Sequence, residues 1–398
     1  MTSERAPQML GALGALIDGT HLAQPHQLPR VIDEAFSAVG WRLTVYLADF
    51  EQRTLRPVGG GGREESIDGT LAGRCFRQST PTRGRLPVPH WWVPLIDGVD
   101  RLGVVRLELP PGDTLDDASV ATDVRWAVYL IGHLVATKSA YSDYFDAVRI
   151  TRERTVSSEL IWSILPPLTV AAEGIAIAGA LEPSHSMAGD VFDYAIDEGV
   201  AHLAIADATG HDLTAALTGA VVLGAYRSVR RRQAGLMATV AEIDQALEDA
   251  APDTYATGIF AELDTRAGTF RYTVAGHPAP LLMRDGKIVK SLEGGRRILL
   301  GFPGRDVPVA TEALEPGDWI VLYTDGIVEA RSARGRMFGL ERLINLLQRS
   351  AANRQSAPES LRRIVHQVLE HQQGVLQDDA TIVLVQWMTA LEHRMEAP

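Results

Sequence analysis

The stretch "AIADATGHDL", residues 204–213, decides how the larger part of this chain is read. An apolar run of strand character hands its last position to a carboxylate, Asp207. A small turn, "ATG", then leads through His211 to Asp212, at the mouth of the helical pattern "LTAALTGAVVLGAY". Asp212 is placed as a helix N-cap. Asp207 is different, because a buried carboxylate without a counter-charge is costly. It has to hold something.

Working outward, the same feature recurs at strand edges. "MAGDVFDY" (187–194) sets Asp190 ahead of a strand, and "DWIVLYTDGIVEA" (318–330) ends one on Asp325. "LQDDATIVLVQW" (376–387) puts Asp378 and Asp379 immediately before another. Singly, each has a plain explanation: Asp325-Gly326 suits a hairpin turn, and Asp378-Asp379 suits a solvated loop. Jointly, acids at the ends of central strands converge in space, and each close pair then repels by roughly 4 kcal/mol at an effective dielectric of 20. A divalent cation cancels that repulsion. Oxygen-only donors favour Mg²⁺ or Mn²⁺ over Zn²⁺.

Strand-like runs at 173–181, 191–196, 201–207, 257–263, 269–275, 279–283, 318–324 and 380–387 surround these acids. Helical patterns lie at 212–232, 236–250, 339–350 and 358–371. Strands in hairpin-like neighbours with helices in separate blocks predict an α+β fold of antiparallel sheets. Upstream, residues 26–137 read as a smaller α/β domain with strands near 42–49, 91–96 and 101–109. Between them, 138–167 reads as a linker helix with a polar break at "TRERT" (151–155) and a stop at Pro166-Pro167. The expected order is a helical or flexible segment 1–25, a smaller domain 26–137, the linker 138–167, a larger domain 168–390 and a tail 391–398.

Segment 168–388 resembles the bacterial PPM/PP2C-type serine/threonine phosphatases of the SpoIIE/RsbU group. The matching pieces are "AGDVFDY", "IADATGHD", "ATGIFAELD" (256–264), "YTVAGHPAPLLM" (272–283), "LLGF" (299–302), "LYTDGIVEA" (322–330), "FGLERL" (338–343) and "QDDATIVLV" (377–385), in the family's order. The resemblance implies an αββα sandwich and two Mn²⁺ or Mg²⁺ ions per domain. It implies that Asp207 bridges both ions with help from the Ala208 carbonyl, that Asp190 serves one and Asp325 and Asp378 the other, and that Asp379 supports them from behind. It implies hydrolysis by activated water with no protein nucleophile. The implied substrate is a phosphoserine or phosphothreonine protein, often a STAS-type anti-sigma-factor antagonist. Two positions depart from the pattern: Ala188 replaces a usual glycine before Asp190, and Asp212 replaces a usual glycine after the "GH". His211 and His277 read as structural.

Residues 26–137 resemble a GAF sensory domain through "IDGTLAGRCFRQSTPTR" (67–83) and the strand pair that follows. The family's cyclic-nucleotide signature begins with asparagine, and none occurs before Asn345. Haem ligation by His90 or His133, a chromophore on Cys75 and a ligand-free dimerisation domain are the remaining options. A homodimer is expected.

Composition bounds the alternatives. The 398 residues carry a formal charge of −12, which disfavours nucleic acid as partner. "RSVRRR" (227–232) reads as a solvated helix face or a docking patch for an acidic protein. One cysteine permits neither an internal disulfide nor a Cys-based zinc site, and fits the cytoplasm. The start of the chain does not read as a secretory signal, and no apolar run spans a bilayer. A phosphodiesterase or cyclase finds no phosphate loop or His-rich motif to support it. The competing function is a catalytically degraded scaffold that binds a regulatory partner.

Overall fold

The computed structural model describes residues 2–85, 88–172, 174–182, 189–210 and 212–388. It divides between Glu153 and Arg154 into two units, each with its own core.

The first unit begins with helices α1 (Thr2–Thr20) and α2 (Leu28–Ser37). Val31, Ile32, Ala35 and Phe36 fall on one side of α2 at helical spacing, and all are buried. Six strands follow: β1 (Arg42–Ala48), β2 (Thr54–Pro57), β3 (Glu65–Ser66), β4 (Thr82–Gly84), β5 (His90–Asp97) and β6 (Asp100–Glu108). A short helix, α3 (Leu71–Gln78), stands between β3 and β4. The sheet is antiparallel in the order β3-β2-β1-β6-β5-β4. Helices α1 and α2 share a core with the long α4 (Ala118–Ser139) and the short α5 (Tyr144–Arg149), whereas Cys75 and Phe76 of α3 belong to a second apolar cluster. Lys138 is buried and donates to the carbonyls of Thr20 and Ala23, which ends α1 with a charge suited to a helix C-terminus.

Two sequence options for this unit lose support. His90 bonds the Val88 carbonyl through Nδ1 at 2.8 Å and packs its other nitrogen against Gly84, and His133 is exposed. Neither offers a buried, open nitrogen to a haem iron. Cys75 is buried, and burial pushes its thiol up, away from the reactive thiolate.

The expected linker 138–167 is not one helix. It takes in the end of α4, all of α5, and α6 (Val156–Ile164) in the second unit. The polar residues 151–155 have no apolar stripe to bury, and the helical ladder lapses there. Thr155 then caps α6, accepting from Ser158 N–H at 3.2 Å.

In chain order the second unit continues with β7 (Thr169–Ala172), β8 (Ile175–Glu182), β9 (Asp190–Asp197), β10 (Val200–Ala208), α7 (Asp212–Arg231), α8 (Gly235–Ala250), β11 (Ala256–Asp264) and β12 (Thr269–Ala275). Then come β13 (Leu281–Arg284), β14 (Lys287–Ser291), β15 (Arg296–Arg297), β16 (Ala310–Ala313), β17 (Trp319–Tyr323), α9 (Asp325–Val328), α10 (Leu340–Ala352), α11 (Ala357–His371) and β18 (Ala380–Trp387). One sheet runs β15-β12-β11-β10-β9 with β16 on β12; the other runs β14-β13-β17-β18-β8-β7. Every pairing but β12 with β15 is antiparallel, as the hairpin-like spacing predicts.

Strand alternation decides the layers. Along β18, Val383 and Val385 join the core that contains both sheets with α7 and α8. Ile382 and Leu384, one step out of phase, join the core that contains α10 and α11. The result is four layers, helix–sheet–sheet–helix.

Candidate metal centre

All the candidate acids come to one end of the two sheets. Asp207 lies directly opposite Asp190 across β10 and β9, and opposite Thr257 across β10 and β11. Asp325 follows the end of β17, and Asp378 and Asp379 precede the start of its neighbour β18.

Cross-sheet hydrogen bonds close this end. Thr324, buried after β17, donates its hydroxyl hydrogen to Asp190 Oδ2 at 2.7 Å and accepts from Thr381 N–H at 3.1 Å. The buried carboxylate of Asp379 accepts from Gly189 N–H at 2.7 Å and Asp190 N–H at 3.4 Å. Asp379 N–H in turn donates to Asp378 Oδ1 at 2.8 Å. Asp379 therefore holds the backbone that presents Asp190. The sequence reading did not single out Thr324; its only signal was a threonine beside the acid in "YTDG".

Asp325-Gly326 is not the hairpin turn that this dipeptide suggests. Asp325 opens α9 behind an extended Thr324. The glycine is needed for another reason: a Cβ at 326 would run into the Asp379 carbonyl. A Cβ at Gly189 would likewise come within 2.5 Å of the Ala208 carbonyl oxygen, whose backbone N–H donates to Gly189 at 3.1 Å. Glycine at both places lets the acid-bearing segments touch.

The electrostatics agree with a shared space. Burial, then the charges of Asp325, Asp378 and Asp379, push Asp207 up to about 7. Burial, then Asp207 and Asp379, hold Asp190 well above the carboxylate range. Asp378 is at the surface, yet desolvation by the protein around its carboxyl raises it to about 6. Among the described residues, no three His, Cys, Asp or Glu side chains are already drawn together as a metal-holding group. The donors match a hard divalent ion in type, and the sheets bring them to one end. The Ala188 and His211 positions lie outside the described residues, as does the side chain of Asp212.

His277 is fully buried with both nitrogens engaged. Nε2 meets the Tyr323 carbonyl at 3.1 Å, which can only accept, so Nδ1 accepts from Thr257 Oγ1–H at 2.7 Å. Burial lowers its pKa to about 3 and keeps it neutral. Thr257 belongs to one sheet and Tyr323 to the other, so His277 ties them together. The "RSVRRR" run is only partly a surface. Arg227 and Arg230 turn inward onto buried Asp193 of β9, at 2.9 and 2.7 Å, and Arg227 also donates to the Ile164 carbonyl at the end of α6. A buried carboxylate requires such partners.

Residues 197–388 match the family described as stage II sporulation protein E (SpoIIE). A 240-residue stretch is 25% identical to phosphoserine phosphatase RsbU of Bacillus subtilis, covering 59% of this chain and 70% of that protein. A 132-residue stretch is 29% identical to protein IcfG of Synechocystis, covering 33% of this chain and 20% of that protein. Among solved structures, the RsbU and RsbW domains of Rv1364c from Mycobacterium tuberculosis are similar at 26% identity and a TM-score of 0.48. That likeness covers 55% of this chain and 62% of that one. Over residues 197–388 the second unit thus matches the SpoIIE family, and part of the chain is similar to a phosphoserine phosphatase. No helix among the described residues is long and apolar enough to cross a membrane.

Proposed function

We propose that this chain hydrolyses phosphoserine or phosphothreonine on a partner protein, a STAS-type anti-sigma-factor antagonist, under control of its first unit acting as a GAF-like sensor. The observation that carries the reading is the convergence of Asp190, Asp207, Asp325 and Asp378 at one sheet end. In this reading Asp207 with the Ala208 carbonyl, Asp190, Asp325 and Asp378 would hold two Mn²⁺ or Mg²⁺ ions. Bound divalent ions supply charge to neutralise the phosphate and acidify an attacking water. Asp379 and Thr324 act as positioning residues for Asp190, and His277 stays neutral and structural.

The homodimer and the cytoplasmic setting belong to the same reading. Its regulatory part draws on Arg227, which joins the last carbonyl of α6 to Asp193 on the strand that Asp190 begins. Removal of residues 1–140 is expected to release turnover from control; turnover by the shortened chain that is unchanged and unregulated would count against a sensor.

The test of the chemistry is hydrolysis of p-nitrophenyl phosphate and of a serine-phosphorylated STAS protein with Mn²⁺ and Mg²⁺ supplied separately, compared with Asp207→Asn. The competing reading is a catalytically degraded scaffold that binds a regulatory partner. No turnover at millimolar Mn²⁺, with partner binding intact, would favour it.

A further inference from the structure

Three exposed apolar side chains border the acid-bearing strand end: Tyr255 is 41% exposed, Ile298 49% and Phe302 42%. The Tyr255 carbonyl accepts from Thr209 N–H at 3.0 Å and from its hydroxyl at 2.5 Å, two residues beyond Asp207. The next residue, Ala256, bonds Leu300 in both directions, at 2.8 and 3.4 Å, so Ile298 and Phe302 flank the same edge. Large apolar groups rarely stay exposed together at a functional edge without a partner.

The segment is pinned from beneath. Asp244 of α8 and Arg297 are both buried and pair at 2.8 Å. Asp244 Oδ1 also accepts from Gly301 N–H at 2.9 Å, and the Arg297 carbonyl accepts from Gly276 N–H at 3.2 Å, beside His277. A buried ion pair contributes little net stability compared with an apolar pair of the same volume, but it defines position. Here it fixes residues 297–301 between α8, β11 and the turn after β12.

We propose that Tyr255, Ile298 and Phe302 form a docking rim for the substrate itself, a folded phosphoprotein that presents an apolar face next to its phosphorylated side chain. The inference rests on the phosphatase reading of the acids and specifies how that site selects its substrate. Position identifies the occupant. Whatever sits on this rim also covers the strand end that carries Asp207, so a second copy of the chain would close the site, whereas a phosphoprotein would deliver its phosphate there. A small phosphate ester has no protein face to lay on the rim, which makes it the control.

The experiment compares Phe302→Ser, Ile298→Ser and Phe302→Leu with the full-length parent. Each is assayed on a serine-phosphorylated STAS-domain protein, a short phosphoserine peptide and p-nitrophenyl phosphate, with Mn²⁺ present. Expected is a loss of about tenfold or more in kcat/KM for the folded phosphoprotein, carried by KM, in both serine variants. Turnover of p-nitrophenyl phosphate stays at the parent level, the peptide changes little, and Phe302→Leu recovers most of the loss. Equal losses on all three substrates, or none on the phosphoprotein, overturn the rim. So does a variant that changes only the sedimentation of the chain, since the surface would then be a contact between copies. A parent silent toward p-nitrophenyl phosphate would overturn the phosphatase reading first, and this inference with it.

Discussion

Asp207 carries a carboxyl that titrates near 7 in the folded chain, against an ordinary value near 4. Between those pH values the folded state holds more protons than the unfolded one, so this residue makes stability fall as pH rises from about 4 to about 7. Asp378 acts in the same direction up to about 6. His277 acts oppositely: held neutral down to about 3, it costs stability as pH falls below about 6.5. In metal-free buffer at pH 8, Asp207→Asn is therefore expected to be more stable than the parent, by about 1–3 kcal/mol. The gap should narrow at pH 5. Thermal unfolding at the two pH values measures this, and a variant less stable than the parent at pH 8 would contradict it. The same substitution should abolish any rise in Tm on adding Mn²⁺.

At the scale of elements, two close approaches govern the site. Gly326→Ala sets a methyl group against the Asp379 carbonyl and must push α9 away from β18. A displacement of about 1 Å at an active site costs on the order of 100-fold in rate, and that loss in kcat is expected here with the fold retained by circular dichroism. Near-parental kcat would mean that the two segments do not need their present spacing. Asp193→Ala removes the buried carboxylate that Arg227 and Arg230 share across β9 and α7. Two half-buried guanidiniums left without it should cost about 3–5 kcal/mol in denaturant unfolding. A cost under 1 kcal/mol would show that solvent replaces the pairing. The element pattern itself was largely legible, because the central strands of the second unit are runs of β-branched and apolar residues bounded by turn residues. The polar β14 and β16, the two-residue β15 and the short β7 escaped the reading, since these peripheral strands bury almost no residue and so carry no apolar period.

For the molecule as a whole, the division between Glu153 and Arg154 makes a prediction about the chain's weakest point. Residues 151–155 belong to no helix or strand, and Arg152 is exposed. Brief trypsin treatment is expected to cut there first and leave two fragments, each resistant to further cleavage. Mass spectrometry of the early products checks it; first cuts inside α4 or α7 would mean that the boundary lies elsewhere.

The sequence alone determined the order of the elements, the antiparallel character of the second unit and the set of acids worth watching, since hydrophobic period and strand-end position are local properties. Tertiary structure decided the rest. It turned Asp325-Gly326 from a turn into a close contact, drew Arg227 and Arg230 inward, gave His277 its two partners, and placed Tyr255 beside Ile298 and Phe302. Each of these depends on which backbone passes within a few ångströms of a side chain, and residues far apart in the chain leave no trace of that distance in their spacing.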